Sequence, residues 1–381
     1  MCLDESKELI FKFFASHPSS ECEWKSVEKM RQASPDPEVF DQMLLNNVTM
    51  LVENPEEAYP SQNAVWKHFL AVFKALAGLV FYGPGVKDFV HRAMVSMIED
   101  NVQYVEMRSL LPPVYEADGS IHDMQWLMES LLDVNTQLLK EYPTDFSGFK
   151  LIYTSDRKVS REVIRDAINT TLQLQAKYPN FMVGYDLVAH EDAGFTLLHF
   201  INELLYPSQI GQNLPFFFHA GETDWYGQST DINILDAILL NTSRIGHGYA
   251  ITKHPWAMQE AKKRDIPLEV NPISNQVLKY VDDLRNHPAV NLMAVDFPLV
   301  ISADDPSLWG VSGLSYDYYA AFMALGGAWA DLGTLKKLAK NSIKYSAMSI
   351  EEKVHTMNIW EKKWEKFIEE IDQTSILHFS G

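Results

Sequence analysis

The sequence is poor in cysteine, in basic residues and in long apolar runs. Of its 381 residues only two are cysteine, Cys2 and Cys22, both near the front. A polar loop separates them, so one local disulfide suits them. Lysine and arginine total 32 against 51 acids, a net charge of -19. Such a surface repels phosphate backbones, which makes nucleic acid and anionic membranes poor partners. The longest apolar run, from Phe69 to Tyr82, is interrupted by Lys74 and is too short to cross a bilayer. The opening "MCLDESKELI" lacks the basic-then-apolar pattern of a signal peptide. No G-x-G-x-x-G follows any apolar run, which argues against a dinucleotide-binding fold. No short period repeats, which argues against a solenoid.

What is present is a large core and a regular alternation. Hydrophobic residues make up 46% and aromatics 12%, enough for one large domain or two ordinary ones. Residues 1–35 read as irregular. Beyond residue 60 or so, seven apolar runs end in polar residues: "VQYVEMRS", "FKLIYTSD", "FMVGYDLVAHED", "LPFFFHAGE", "SRIGHG", "IPLEVNPISN" and "FPLVISADDP". Between them lie segments with apolar residues at three-and-four spacing, such as "REVIRDAINTTLQLQAKY" and "DINILDAILLN". Strand then helix, repeated, predicts a parallel α/β architecture with strands buried on both faces. Seven units predict a (β/α)8 TIM-type barrel with one unit unaccounted for. The end of the chain predicts an amphipathic helix whose stripe of Trp360, Trp364 and Phe367 closes onto the barrel.

The polar residues gather at the C-terminal ends of these runs, where barrel active sites are built. "FFFHAGE" delivers His219 and Glu222, "RIGHG" delivers His247 between two glycines, and "LVISADDP" delivers Asp304 and Asp305. A lone histidine at a strand end is ordinarily just hydrogen-bonded, and Asp-Asp-Pro is ordinarily a turn or helix cap. Three such groups at equivalent ends of successive strands point instead to one site. Adjacent carboxylates need a positive partner or a proton. A metal ion meets that need, and this donor set suits Zn²⁺ acting on a water nucleophile.

These words together resemble the adenosine deaminase family, and most closely its secreted growth-factor branch. The matching text includes "FFFHAGETDW", "LNTSRIGHGYA", "LEVNPISNQVLKYVDDLRNHP", "VISADDPSLWG", "GLSYDYY", "QNAVWKHF", "DNVQYVEMRS" and "NSIKYSAMS". The resemblance implies a zinc-containing (β/α)8 barrel that hydrolyses adenosine or 2'-deoxyadenosine to the inosine product and ammonia. It implies His219 and Asp304 as zinc ligands and Glu222 as the acid that protonates purine N1. His247 would hold the attacking water as base or electrostatic partner, Asp305 would meet N7, and Trp66 would cover the substrate. The front segment with Cys2 and Cys22 resembles a disulfide-bearing insertion, leaving residues 36–381 as the barrel. Sequons at Asn47, Asn169 and Asn241 fit a secreted parent protein. The branch also implies a homodimer in the complete protein.

Three positions depart from the family pattern. The family places two more zinc ligands in an H-x-H motif at the end of strand one, and no two of the twelve histidines are so spaced. The implied first strand would precede Met1. Ala189 stands where the family has glycine, at the backbone N–H that meets purine N3. Asp156 stands where the secreted branch has a pocket histidine. Glu106 and Arg108 read as a structural ion pair beneath the site. The alternative reading is a catalytically impaired member that acts by binding, as a growth-factor-like protein.

Overall fold

The computed structural model describes residues 1–378 apart from His17. Seven parallel strands carry the architecture: β1 (Val105–Ser109), β2 (Phe149–Asp156), β3 (Met182–Val188), β4 (His219–Ala220), β5 (Ile245–His247), β6 (Leu268–Val270) and β7 (Leu299–Ile301). Strands β1, β2 and β3 pair in that order, and so do β4 to β7. A parallel bridge between Tyr185 and Phe216 joins the two groups, so spatial order follows chain order. This is the (β/α)8-type barrel, with helices such as Met124–Glu141, Arg161–Lys177 and Pro255–Lys263 between its strands.

Alternation decides what each strand buries. Phe216 and Phe218 stack on each other in the layer between strands and helices. Phe217 points the other way and packs with Ile152 and Val183. The apolar run thus feeds two cores at once. Only His219–Ala220 forms a ladder there, although Phe216 bridges Tyr185 and Phe217 N donates to the Tyr185 carbonyl at 3.0 Å.

Among the described residues no strand pairs with the outer edge of β1 or of β7. A groove of about 980 Å³ lies between them, bordered by Glu106, Arg108, Ser302 and Asp304. The helix Ile350–His378 flanks this groove with Trp364 and Phe367, while Trp360 is buried with Ile343 and Met348. The expected aromatic stripe is therefore real, and it borders the seam.

Residues 1–35 are more ordered than their composition suggests. Cys2–Leu3 and Leu9–Ile10 form a small antiparallel pair, Cys2 and Cys22 are disulfide-bonded with Cα atoms 6.3 Å apart, and Val27–Ala33 is helical. Lys74 pairs with Asp4 and Glu8, which docks this segment on the Gln62–Val80 helix. Gly78 makes the close approach possible, because a Cβ there would collide with the Phe11 carbonyl. No helix among the described residues is long and apolar enough to cross a membrane.

Candidate active site

The turn after β4 is held from below. Glu191 accepts from Gly221 N at 2.9 Å, from Glu222 N at 2.7 Å and from Asn233 Nδ2 at 2.7 Å. Gly221 supplies the left-handed φ of +76° that this turn requires. Asp186, fully buried on β3, accepts from both the backbone N of His219 (2.8 Å) and its Nδ1 (2.6 Å). Burial alone would raise the Asp186 carboxyl. His219 and Arg108 outweigh it and hold the carboxyl at about 2. An ionised Asp186 makes His219 Nδ1 the donor and leaves its Nε2 lone pair free.

His219, His247 and Asp304 each offer a ligand atom, all within 4.8 Å of one another. Gly246 lets them meet: a Cβ there would stand 3.2 Å from the His219 ring. Asp304 Oδ2 accepts from Ser274 Oγ at 2.7 Å, which orients the carboxylate. A carboxylate-backed histidine next to an oriented aspartate is the donor set a divalent metal needs. The residues present therefore fit a metal ion.

The remaining groups are set for proton chemistry. Glu222 is buried and its Oε1 has no hydrogen-bond partner. Burial, then the charges of Asp304 and Glu191, push its carboxyl well above the ordinary range, which favours the protonated form. His247 is pushed down to about 4, chiefly by burial. Its Nδ1 lies 3.6 Å from Glu222 and its Nε2 lies 3.9 Å from Asp304. Asp305 is pushed well up by burial and by its neighbour Asp304.

Trp66, on the Gln62–Val80 helix, lies flat on His190 with ring centroids 4.6 Å apart. Its Nε1 donates to the Tyr280 hydroxyl at 3.0 Å. Gln62 donates to Asp224 at 2.6 Å and to the Lys279 carbonyl at 3.1 Å, tying the start of that helix to the loops after β4 and β6. Trp66 is thus stacked on the residue that follows Ala189. Asp156 instead accepts from Lys158 N at 2.7 Å and closes the turn after β2.

Glu106 and Arg108 do not pair with each other, because each finds a better-placed partner on another strand. Arg108 binds Asp186 at 2.7 Å and Glu269 at 2.9 Å. Arg244 binds Glu269 at 2.7 Å and also Glu106. The result is a buried ladder of charge, Glu106–Arg244–Glu269–Arg108–Asp186, that ends on His219. Sequence reasoning missed Asp186, Glu191, Ser274 and Asn275. The available signal was a carboxylate inside the apolar run "MVGYDLV", since a buried charge demands a partner.

A parallel barrel with histidine, aspartate and glutamate converging at its C-terminal strand ends defines a barrel hydrolase. The chain belongs to the adenosine deaminase family, whose model, described as Adenosine deaminase, matches residues 39–362. Adenosine deaminase 2 of Sus scrofa is 47% identical over 377 residues, which cover 97% of this chain and 73% of that protein. Among solved structures, arabidopsis ADAL complexed with GMP aligns with a TM-score of 0.66 at 18% identity, covering 92% of this chain and 94% of that one. An amidohydrolase from Burkholderia ambifaria with bound Zn aligns with a TM-score of 0.59 at 15% identity, covering 91% and 87%. The family makes the protein an enzyme.

Proposed function

We propose that the protein hydrolyses the 6-amino group of adenosine or 2'-deoxyadenosine, giving the inosine product and ammonia, with zinc as cofactor. The observation that carries this reading is Glu222, a buried acid with an unpartnered oxygen and a raised carboxyl, beside the His219–His247–Asp304 cluster. His219 and Asp304 would hold the zinc, which when bound supplies Lewis acidity that eases deprotonation of water. Glu222 donates its proton to purine N1, which draws electrons from C6 and prepares it for attack. His247 orients the attacking water. Asp305, whose carboxyl is pushed up by burial and by Asp304, shares a proton with N7. The Ala189 N–H meets N3, and Trp66 covers the ring and excludes bulk water. The sequons and the formed disulfide support an extracellular protein, and the branch it resembles supports a homodimer.

Glu222→Gln tests the reading. Expected is retained zinc and nucleoside binding with turnover lowered at least ~100-fold, the scale of a lost general acid. Near-normal turnover would remove Glu222 from the mechanism. A second reading, a binding protein with little turnover, is favoured by one observation: Ala189 carries a methyl group, in left-handed backbone, where the resemblance implies a glycine at purine N3. Elemental analysis and calorimetry on the same samples separate the two. Zinc below one per chain, with nucleoside still bound, supports the binder.

A further inference from the structure

His287 lies outside the cluster, buried just before the Ala289–Ala294 helix. Its Nδ1 accepts a hydrogen bond from the backbone N of Ala289 at 3.0 Å. A neutral imidazole carries one proton, and a nitrogen that accepts from an N–H cannot hold it. The proton of His287 is therefore on Nε2. That nitrogen lies 2.9 Å from Asn275 Oδ1, and only this atom of the amide can accept from it. The orientation of the Asn275 side chain follows. If the amide were turned over, its NH₂ would face an Nε2 that is itself a donor.

The other end of the same amide now has a fixed meaning. Asn275 Nδ2 lies 3.2 Å from His247 Nδ1 and donates to it. Asn271 Nδ2 lies 3.2 Å from the same nitrogen and 3.4 Å from Nε2, so it selects neither, and its Oδ1 has no anchor; Asn275 decides the assignment. Glu222 at 3.6 Å is beyond hydrogen-bond reach of Nδ1. We propose that His287 is a positioning residue: through Asn275 it fixes His247 as the tautomer with its proton on Nε2, the nitrogen that faces Asp304. His247 then enters the reaction as an N–H donor to an oxygen in the cluster, and not as a base at Nε2. The chain starts from a backbone amide, so it is rigid from its origin. Burial keeps the His287 ring neutral, pushing it down to about 4.

The tautomer follows from hydrogen bonds alone, whereas its catalytic consequence rests on the deaminase reading. The test therefore reads protonation first. The 381-residue chain is labelled with ¹⁵N-histidine, and the His247 signals are assigned by their loss in His247→Asn. Wild type is expected to show Nδ1 unprotonated and Nε2 protonated at neutral pH. His287→Phe removes the anchor and should give a mixture of tautomers. His287→Gln keeps an N–H donor toward Asn275 and should restore the single tautomer. Asn275→Asp replaces the donor at Nδ1 with an acceptor and should move the proton to Nδ1. A wild-type His247 protonated on Nδ1, or a His287→Phe spectrum identical to wild type, overturns the proposal. In the active enzyme, His287→Phe should lower kcat about 10- to 100-fold, the scale seen when orienting partners are lost, with KM within about twofold. His287→Gln should recover most of it. An unchanged tautomer with lowered kcat would count against the relay. A changed tautomer in a protein without deaminase activity would refute only the function.

Discussion

Three candidate site residues sit in left-handed backbone that side chains seldom adopt: Ala189 at φ 77°, His247 at 57° and Asp304 at 56°. Such strain collects where surrounding contacts over-determine the conformation. His247 and Asp304 have those contacts in Asn275 and Ser274. Ala189 has only a methyl group and gains nothing from its Cβ. Ala189→Gly should therefore stabilise the protein by about 1 kcal/mol, the cost of a Cβ in this region. If Ala189 N–H meets the purine, the same change should lower KM. Denaturant midpoints and steady-state kinetics check the two halves separately. The residues that end apolar runs, His219, Glu222, His247 and Asp304, were legible because position and chemistry coincide there. The residues that aim them were not. Asp186 reaches His219 from 33 positions away, and His287 acts on His247 through an amide whose orientation only the fold decides.

At the scale of elements, the strand–helix alternation was legible because a strand buried on both faces leaves an unbroken apolar run. The ladder lengths were not. From β4 onward each strand keeps two or three residues in register, since the chain turns early to deliver its polar ends. The charge ladder, which runs through β1, β3, β6 and Arg244 just before β5, was hidden in its connections: Glu106 and Arg108 read as a pair of their own, and nothing on paper ties Arg244 or Glu269 to them. Its energetics are testable through Glu269. Burial would raise this carboxyl, but Arg108 and Arg244 hold it at about 2 against an ordinary 4.5. A depressed folded value contributes stability that is present above about pH 4.5 and is lost as pH falls through about 2. The amount is on the order of 3 kcal/mol. Glu269→Gln should be destabilised at pH 6, and the gap from wild type should narrow steadily as the pH is lowered toward 3. Urea unfolding across that range measures it. A gap that stays constant would mean that Glu269 contributes through packing alone.

For the whole molecule, the sequence carried the barrel and the site end of it, while the closure of the ring depends on pairing that no local pattern encodes. The seven strands form an arc, and the seam between β1 and β7 leaves the outward amides of both strands without ladder partners among the described residues. Asp304 stands beside that seam, so one of the two proposed zinc ligands belongs to the least enclosed part of the fold. The same asymmetry sets a clock. An amide exchanges its hydrogen with solvent only when its bond opens, and opening is costliest where neighbours flank it on both sides. Deuterium uptake should therefore rise outward along the arc, slowest in β2, which pairs with β1 and β3, and fastest at the seam edges of β1 and β7. Uniform protection across all seven strands would mean that the ring opens and closes as one body. A gradient would mean that the metal end of the site breathes on a shorter timescale than the strand that carries Asp186.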